Sequence, residues 1–256
     1  MDRYNYLFHI QYLGFRYHGW QKQPGVKTIE LMLEKTAQTV FKHSDFKILG
    51  AARTDSKVSA NHSAFELFMN RDLTPEFLHK AFNTNLPNDI RVMCVESVGP
   101  DFNIIQAPKT KEYLYLFSHG RKQHPFSASL IYAFQENLDI DLMKQGAAVF
   151  EGMHNFVQYC TKPSPGTSLI RTVEKSDIKK NAEFEAGFFP QQTWCFRVQS
   201  KGFMRNQVRL MMGQLLRLGR GDIDLGDIRH SLTGKDKSPL PVIAPASGLI
   251  LNRIKF

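Results

Sequence analysis

The sequence predicts an α+β protein in which helices pack against a mostly antiparallel sheet. Some segments alternate polar and apolar residues, the period of a strand; others repeat apolar residues every three or four positions, the period of a helix. Short connectors join them in the order β-α-β-α-β. At 256 residues and 42% hydrophobic content, the chain can bury a core in one elongated domain or two fused halves.

Tyr4, Tyr6, Phe8, Ile10 and Tyr12 alternate with Asn5, Leu7, His9 and Gln11, which predicts a strand with one buried face. A turn-like stretch from Leu13 to Gly25 precedes a helix on Ile29, Met32, Leu33, Thr36, Ala37, Val40 and Phe41. Ala64–Met69 and Arg91–Val98 read as strands. The helix between them, Leu73–Phe82, has Thr74 as N-cap and Pro75 in its first turn. Glu112–Ser118 is an aromatic-rich strand opening a second half. Leu142–Phe150 then reads as a helix, Val173–Lys179 and Thr193–Ser200 as strands, and Thr161–Ser168 as a Pro/Gly/Ser loop. Met204, Val208, Met211, Leu215 and Leu218 predict a helix burying one stripe, and Gly248–Phe256 a closing strand. The expected halves are 1–108 and 109–256, alike in element order without a visible sequence repeat.

No run approaches the ~20 apolar residues of a membrane helix, and MDRYNYLFHIQYLG lacks a secretory apolar core, so a cytoplasmic location is expected. Cys94, Cys160 and Cys195 are dispersed and odd in number, and the nine histidines show no metal-ligand spacing. Neither a disulfide framework nor a metalloenzyme is expected. The 33 Lys and Arg exceed the 24 Asp and Glu, a net charge of +9 that favours an anionic partner, above all nucleic acid. Between Ala186 and Gly221 stand Arg197, Lys201, Arg205, Arg209, Arg217 and Arg220 with no acidic residue. That run predicts a phosphate-facing surface, with Arg205 and Arg209 one helical turn apart.

Within GAARTDSKVSA (Gly50–Ala60), Arg53, Thr54 and Asp55 form a compact loop before a strand. A loop carboxylate can be a nucleophile or base if something keeps it ionised and aimed, but alone it reads equally well as an ordinary polar loop. Its companions are YLGFRYHGWQKQPG (Tyr12–Gly25), KEYLY (Lys111–Tyr115), the pair Arg171–Thr172, GFMRNQVRLMMG (Gly202–Gly213) and APASGLIL (Ala244–Leu251). Together, in this order and nearly end to end, they resemble the tRNA pseudouridine synthase A family.

The resemblance implies a pseudouridine synthase fold: two similar halves sharing a central, mostly antiparallel sheet, with a basic cleft between. It implies isomerisation of uridine to pseudouridine in tRNA, around positions 38 to 40 of the anticodon stem-loop, by a homodimer without cofactor or metal. Asp55 matches the family's catalytic aspartate and Arg209 the cation that keeps it ionised. Tyr113 matches the tyrosine packed on the target base, and Arg53 the arginine entering the stack vacated by the flipped nucleotide. Lys57, Lys111, Arg171, Arg205 and Arg217 are the expected RNA contacts. Three positions depart from the family pattern: Lys57 replaces a glycine, Ser59 a histidine and Ile105 an arginine. These departures leave open a synthase with another RNA target, or a non-catalytic RNA-binding protein on the same scaffold.

Overall fold

The computed structural model describes residues 4–163 and 165–256. Met1–Arg3 and Ser164, the latter inside the Thr161–Ser168 loop, lie outside them. The chain divides into two compact units, Met1–Lys109 with Leu251–Phe256, and Thr110–Ile250. The last six residues belong to the first unit although they close the chain. Lys109 N donates to Lys255 O at 2.7 Å, and the Phe256 ring stands edge-on to His9 at 5.8 Å.

In the first unit, β1 (Tyr4–Tyr12) is followed by α1 (Ile29–Phe41), β2 (Phe46–Gly50), β3 (Ser59–Met69), α2 (Pro75–Asn85) and β4 (Ile90–Val98). Strand β1 lies between β4 and β3 and is antiparallel to both; β2 also pairs with β3. Thr28 caps α1 by accepting from Leu31 N, and Thr74 caps α2 by accepting from Phe77 N. Both hydroxyls satisfy amides that have no partner within the helix. The helices cover one sheet face: Phe82 of α2 packs on Phe8 and Phe65, which stack at 4.5 Å, and Phe41 of α1 packs on Phe82. Each fully buried phenyl contributes about 1.5–3 kcal/mol.

β1 is buried on both faces and not, as its alternation suggests, on one. Phe256 packs on His9, and Phe102 packs on Phe256, so part of the second face is covered as well. Alternation reports polarity, and His9 and Asn5 are polar residues that tertiary packing encloses. The short edge strand β2 is absent from the sequence reading; its five residues are only partly buried and carry little periodicity.

In the second unit, β5 (Thr110–Ser118), β6 (Tyr132–Ala133), α3 (Ile140–Val149), β7 (Gly152–Asn155), β8 (Ile170–Lys180), β9 (Trp194–Ser200), α4 (Gln207–Arg220) and α5 (Leu225–Ser231) follow in order, and the strand β10 (Leu249–Lys255) crosses from this unit into the first. The order β5-β9-β8-β7 is antiparallel throughout, and β6 joins β5 in parallel. On one face Leu114, Leu116, Ile131, Cys195 and Ile250 form an apolar cluster.

Helix α4 also departs from expectation. It is buried almost all round, from Gln207 to Gly219, and does not present a single buried stripe. It begins at Gln207 because Asn206 takes a left-handed conformation at φ 61°, so Arg205 precedes the helix and is not one turn from Arg209 on its surface. No helix among the described residues is long and apolar enough to cross a membrane.

Candidate active site

The first unit carries the Arg53-Thr54-Asp55 loop between β2 and β3, and the Tyr12–Trp20 segment holds it at nearly every residue. The buried Thr54 bonds through its hydroxyl to Tyr12 Oη at 2.9 Å and through its carbonyl to Trp20 N at 3.0 Å. Tyr17 O accepts from Lys57 N at 3.0 Å and from Ser56 Oγ at 3.3 Å, while its hydroxyl donates to Asp89 at 2.6 Å. Val58 N closes the loop on Asp55 O at 3.2 Å. Two glycines let the backbones meet. A Cβ on Gly14 would lie 1.9 Å from Val58 O, and one on Gly19, at φ +88°, would lie 2.7 Å from Thr54 O. The spacing Y-x-G-x-x-Y-x-G-W is therefore a cradle for a loop far along the chain.

The cradle leaves Asp55 half-exposed and Arg53 and Lys57 exposed. Trp20 is buried and packs beside Tyr12. Lys57, where the resemblance has glycine, sits at φ 68°, and its ammonium lies 6.0 Å from the Phe15 ring centre. A non-glycine residue pays about 1–2 kcal/mol in this region, offset in part by the flexibility glycine brings to the unfolded chain. Lys57→Gly is expected to raise stability by about 0.5–1 kcal/mol, or roughly 1–3 °C in thermal midpoint. A calorimetric scan showing a lower midpoint would contradict the strain. Ser59, in place of histidine, is buried and accepts from Gly14 N at 2.9 Å, joining loop to cradle. Ile105, in place of arginine, is 57% exposed and forms no part of the loop's support.

In the second unit, Tyr113 and Lys111 lie on β5 and Arg209 on α4. Tyr113 is 8% exposed and meets Phe203 edge-on at 5.3 Å. Tyr115 is fully buried and donates to Pro245 O at 2.7 Å; burial pushes its phenol well above the usual value. Arg209 is held from two sides. Its Nε donates to Ala244 O at 2.8 Å and its Nη1 to Asn206 Oδ1 at 3.1 Å, while Ala244 N returns a bond to Arg209 O at 3.0 Å. Ala244, Pro245 and Asn206 thus orient residues of the candidate site, a role that sequence reasoning did not assign. The signal for Ala244 and Pro245 was the A-P-A-x-G string, and for Asn206 the string GFMRNQVRLMMG; the meaning of both depends on contacts far along the chain.

The expected phosphate-binding residues differ in environment. Arg205 is exposed, and Arg171 and Arg217 are half-buried. Arg171 donates to its neighbour Ile170 O, and Arg217 to Gln214 Oε1 at 3.1 Å. Burial lowers the Lys111 ammonium below its usual range. The basic run from Ala186 to Gly221 is not one phosphate-facing surface. Arg197 is paired with Glu112 at 2.9 Å and with Glu183, and Arg220 with Glu136 at 2.9 Å. Acidic residues outside the run neutralise these two, which counting charges within the run could not reveal.

A family model described as tRNA pseudouridine synthase matches residues 9–105 and 147–256. Among similar curated proteins, a tRNA pseudouridine synthase A of Exiguobacterium sibiricum is 34% identical over 94% of this chain and 92% of its own length. One of Thermoanaerobacter sp. is 30% identical over 98% of this chain and 99% of its own, and one of Listeria monocytogenes 30% identical over the full length of both. The match covers both the Asp55 loop with its cradle and the Arg209 helix with its Ala244 support, and the chain belongs to the tRNA pseudouridine synthase family.

Proposed function

We propose that this pseudouridine synthase isomerises uridines of the tRNA anticodon stem-loop, around positions 38 to 40, with Asp55 as its catalytic carboxylate. The observation that carries the reading is the cradle, in which two glycines, a tyrosine hydroxyl, a tyrosine carbonyl and a tryptophan amide hold the loop around one half-exposed aspartate. A loop of ordinary polar function needs no such fixation; a reacting group does, because small misplacements slow reaction steeply. At the ribose, the carboxylate acts as nucleophile or base while the N1–C1′ bond breaks; the uracil turns, C5 rejoins C1′ and loses its proton, and N1 takes one up. Arg209, in this reading, keeps the carboxylate ionised in a site emptied of water. Tyr113 packs on the base and Arg53 fills the stack left by the flipped nucleotide.

Lys57, Lys111, Arg171, Arg205 and Arg217 hold backbone phosphates and read RNA shape more than sequence. A homodimer, across which one tRNA lies, and a cytoplasmic location complete the proposal. Five phosphate contacts give a log–log slope of affinity against salt of about −3.5 to −4.5, through counterion release. A flat response in filter binding from low to physiological salt would remove these residues from the RNA interface. Sedimentation of the free protein at the mass of one chain would remove the homodimer.

Mapping pseudouridines in total tRNA from cells with and without the protein tests the target. Loss at positions 38 to 40 supports it; loss elsewhere in tRNA moves the target, and no loss leaves an RNA-binding protein. Lys57 and Ile105 are the departures that favour examining other RNA sites.

A further inference from the structure

On the first unit's sheet, on the face away from α1 and α2, three adjacent strands bring together groups that the uridine chemistry does not use. His9 on β1 lies directly across from Cys94 on β4, and Glu96 follows two residues along β4. The His9 Nε2 to Glu96 Oε1 distance is 3.0 Å, and the three ligand atoms of His9, Cys94 and Glu96 lie within 4.8 Å of one another. On the other side, His9 Nδ1 meets His62 Nε2 of β3 at 2.8 Å.

The juxtaposition depends on a bulge. Ile10 pairs with Val92, but His9 pairs with Cys94, so Met93 is passed over. In an unbroken strand Cys94 would share the face of the buried Val92, toward the helices. The extra residue turns Cys94 and Glu96 onto the face of His9, as bulges commonly re-aim side chains. His9 itself is 8% exposed, bordered by Phe256, whereas Cys94 and Glu96 are open to solvent.

We infer that His9, Cys94 and Glu96 form a binding site for a zinc ion, with His62 as the group that orients His9. One imidazole nitrogen, one thiolate and one carboxylate are a donor set suited to zinc, and a water completes the tetrahedron. Ligand bonds of about 2.0–2.3 Å require donor separations of about 3.3–3.8 Å. The present separations meet that with rotamer adjustments of the two exposed side chains. The ion takes the place of the proton between His9 Nε2 and Glu96, and the Cys94 thiol releases its proton to solvent. His9 then donates from Nδ1 to His62 Nε2, the outer bond that ordinarily fixes a ligating histidine. A filled site ties the edge strand β4 to its neighbour β1 and leaves the Asp55 loop untouched.

The test uses the full-length, reduced, chelator-treated protein and cobalt(II) as a spectroscopic substitute for zinc. The expected result is one cobalt per chain with a thiolate-to-cobalt charge-transfer band that zinc abolishes. Cys94→Ser is expected to eliminate the band, Glu96→Gln to weaken affinity at least tenfold, and Cys160→Ser to change neither. All three positions are at least partly exposed, and unchanged circular dichroism verifies the fold of each variant. Absence of the band in the parent protein, or its persistence in Cys94→Ser, would overturn the site.

Discussion

Asp55→Asn is expected to lower isomerisation more than a thousandfold, about 4 kcal/mol at the barrier, while tRNA affinity stays within a few-fold. The substitution preserves volume and removes only the charge. The bonds that shape the loop are made by the backbone of Asp55 and by its neighbours: Val58 N to Asp55 O, Trp20 N to Thr54 O, and Thr54 Oγ1 to Tyr12 Oη. None of these three bonds requires a carboxylate, so the loop should keep its conformation. Single-turnover release of label from C5 of uridine, measured beside equilibrium binding, separates the two effects. Turnover retained within tenfold would exclude Asp55 as the catalytic group.

Arg209→Ala is expected to slow the reaction by about 10²–10³, the usual scale for removing one preorganised electrostatic partner, with a much smaller effect on affinity. The side chain is fastened for such a role: one nitrogen is tied to Ala244 O and another to Asn206 Oδ1, which fixes the guanidinium plane. Lysine at this position should not rescue the rate, because a single ammonium cannot span both anchors and still present a fixed charge. A variant that binds tRNA more weakly but turns over normally at saturation would make Arg209 a phosphate ligand instead.

The proposed roles of Asp55 and Arg209 were legible only through motif order, since neither residue type is distinctive by itself. Both halves of the machinery are held by parts of the chain far from them. Tyr17 carries the Lys57 amide, and Ala244 carries the Arg209 side chain. The meaning of Lys57 was half legible: glycine in its place implied a backbone requirement, and φ 68° is that requirement. The basic run was legible as charge but not as surface, because Glu112, Glu136 and Glu183 reach Arg197 and Arg220 from elsewhere in the second unit.

By itself the sequence determined the types of its longer elements, the Thr74 cap and the family. Periodic burial and capping are written within a dozen residues, and the ordered motifs span the chain. Only the tertiary structure decided that β1 is enclosed on two faces, that α4 starts after Arg205, and that His9 faces Cys94 and Glu96 across a bulge. Each of these depends on which strands pair and in what register. A shift of one residue there moves a side chain to the opposite face, with no trace in local composition.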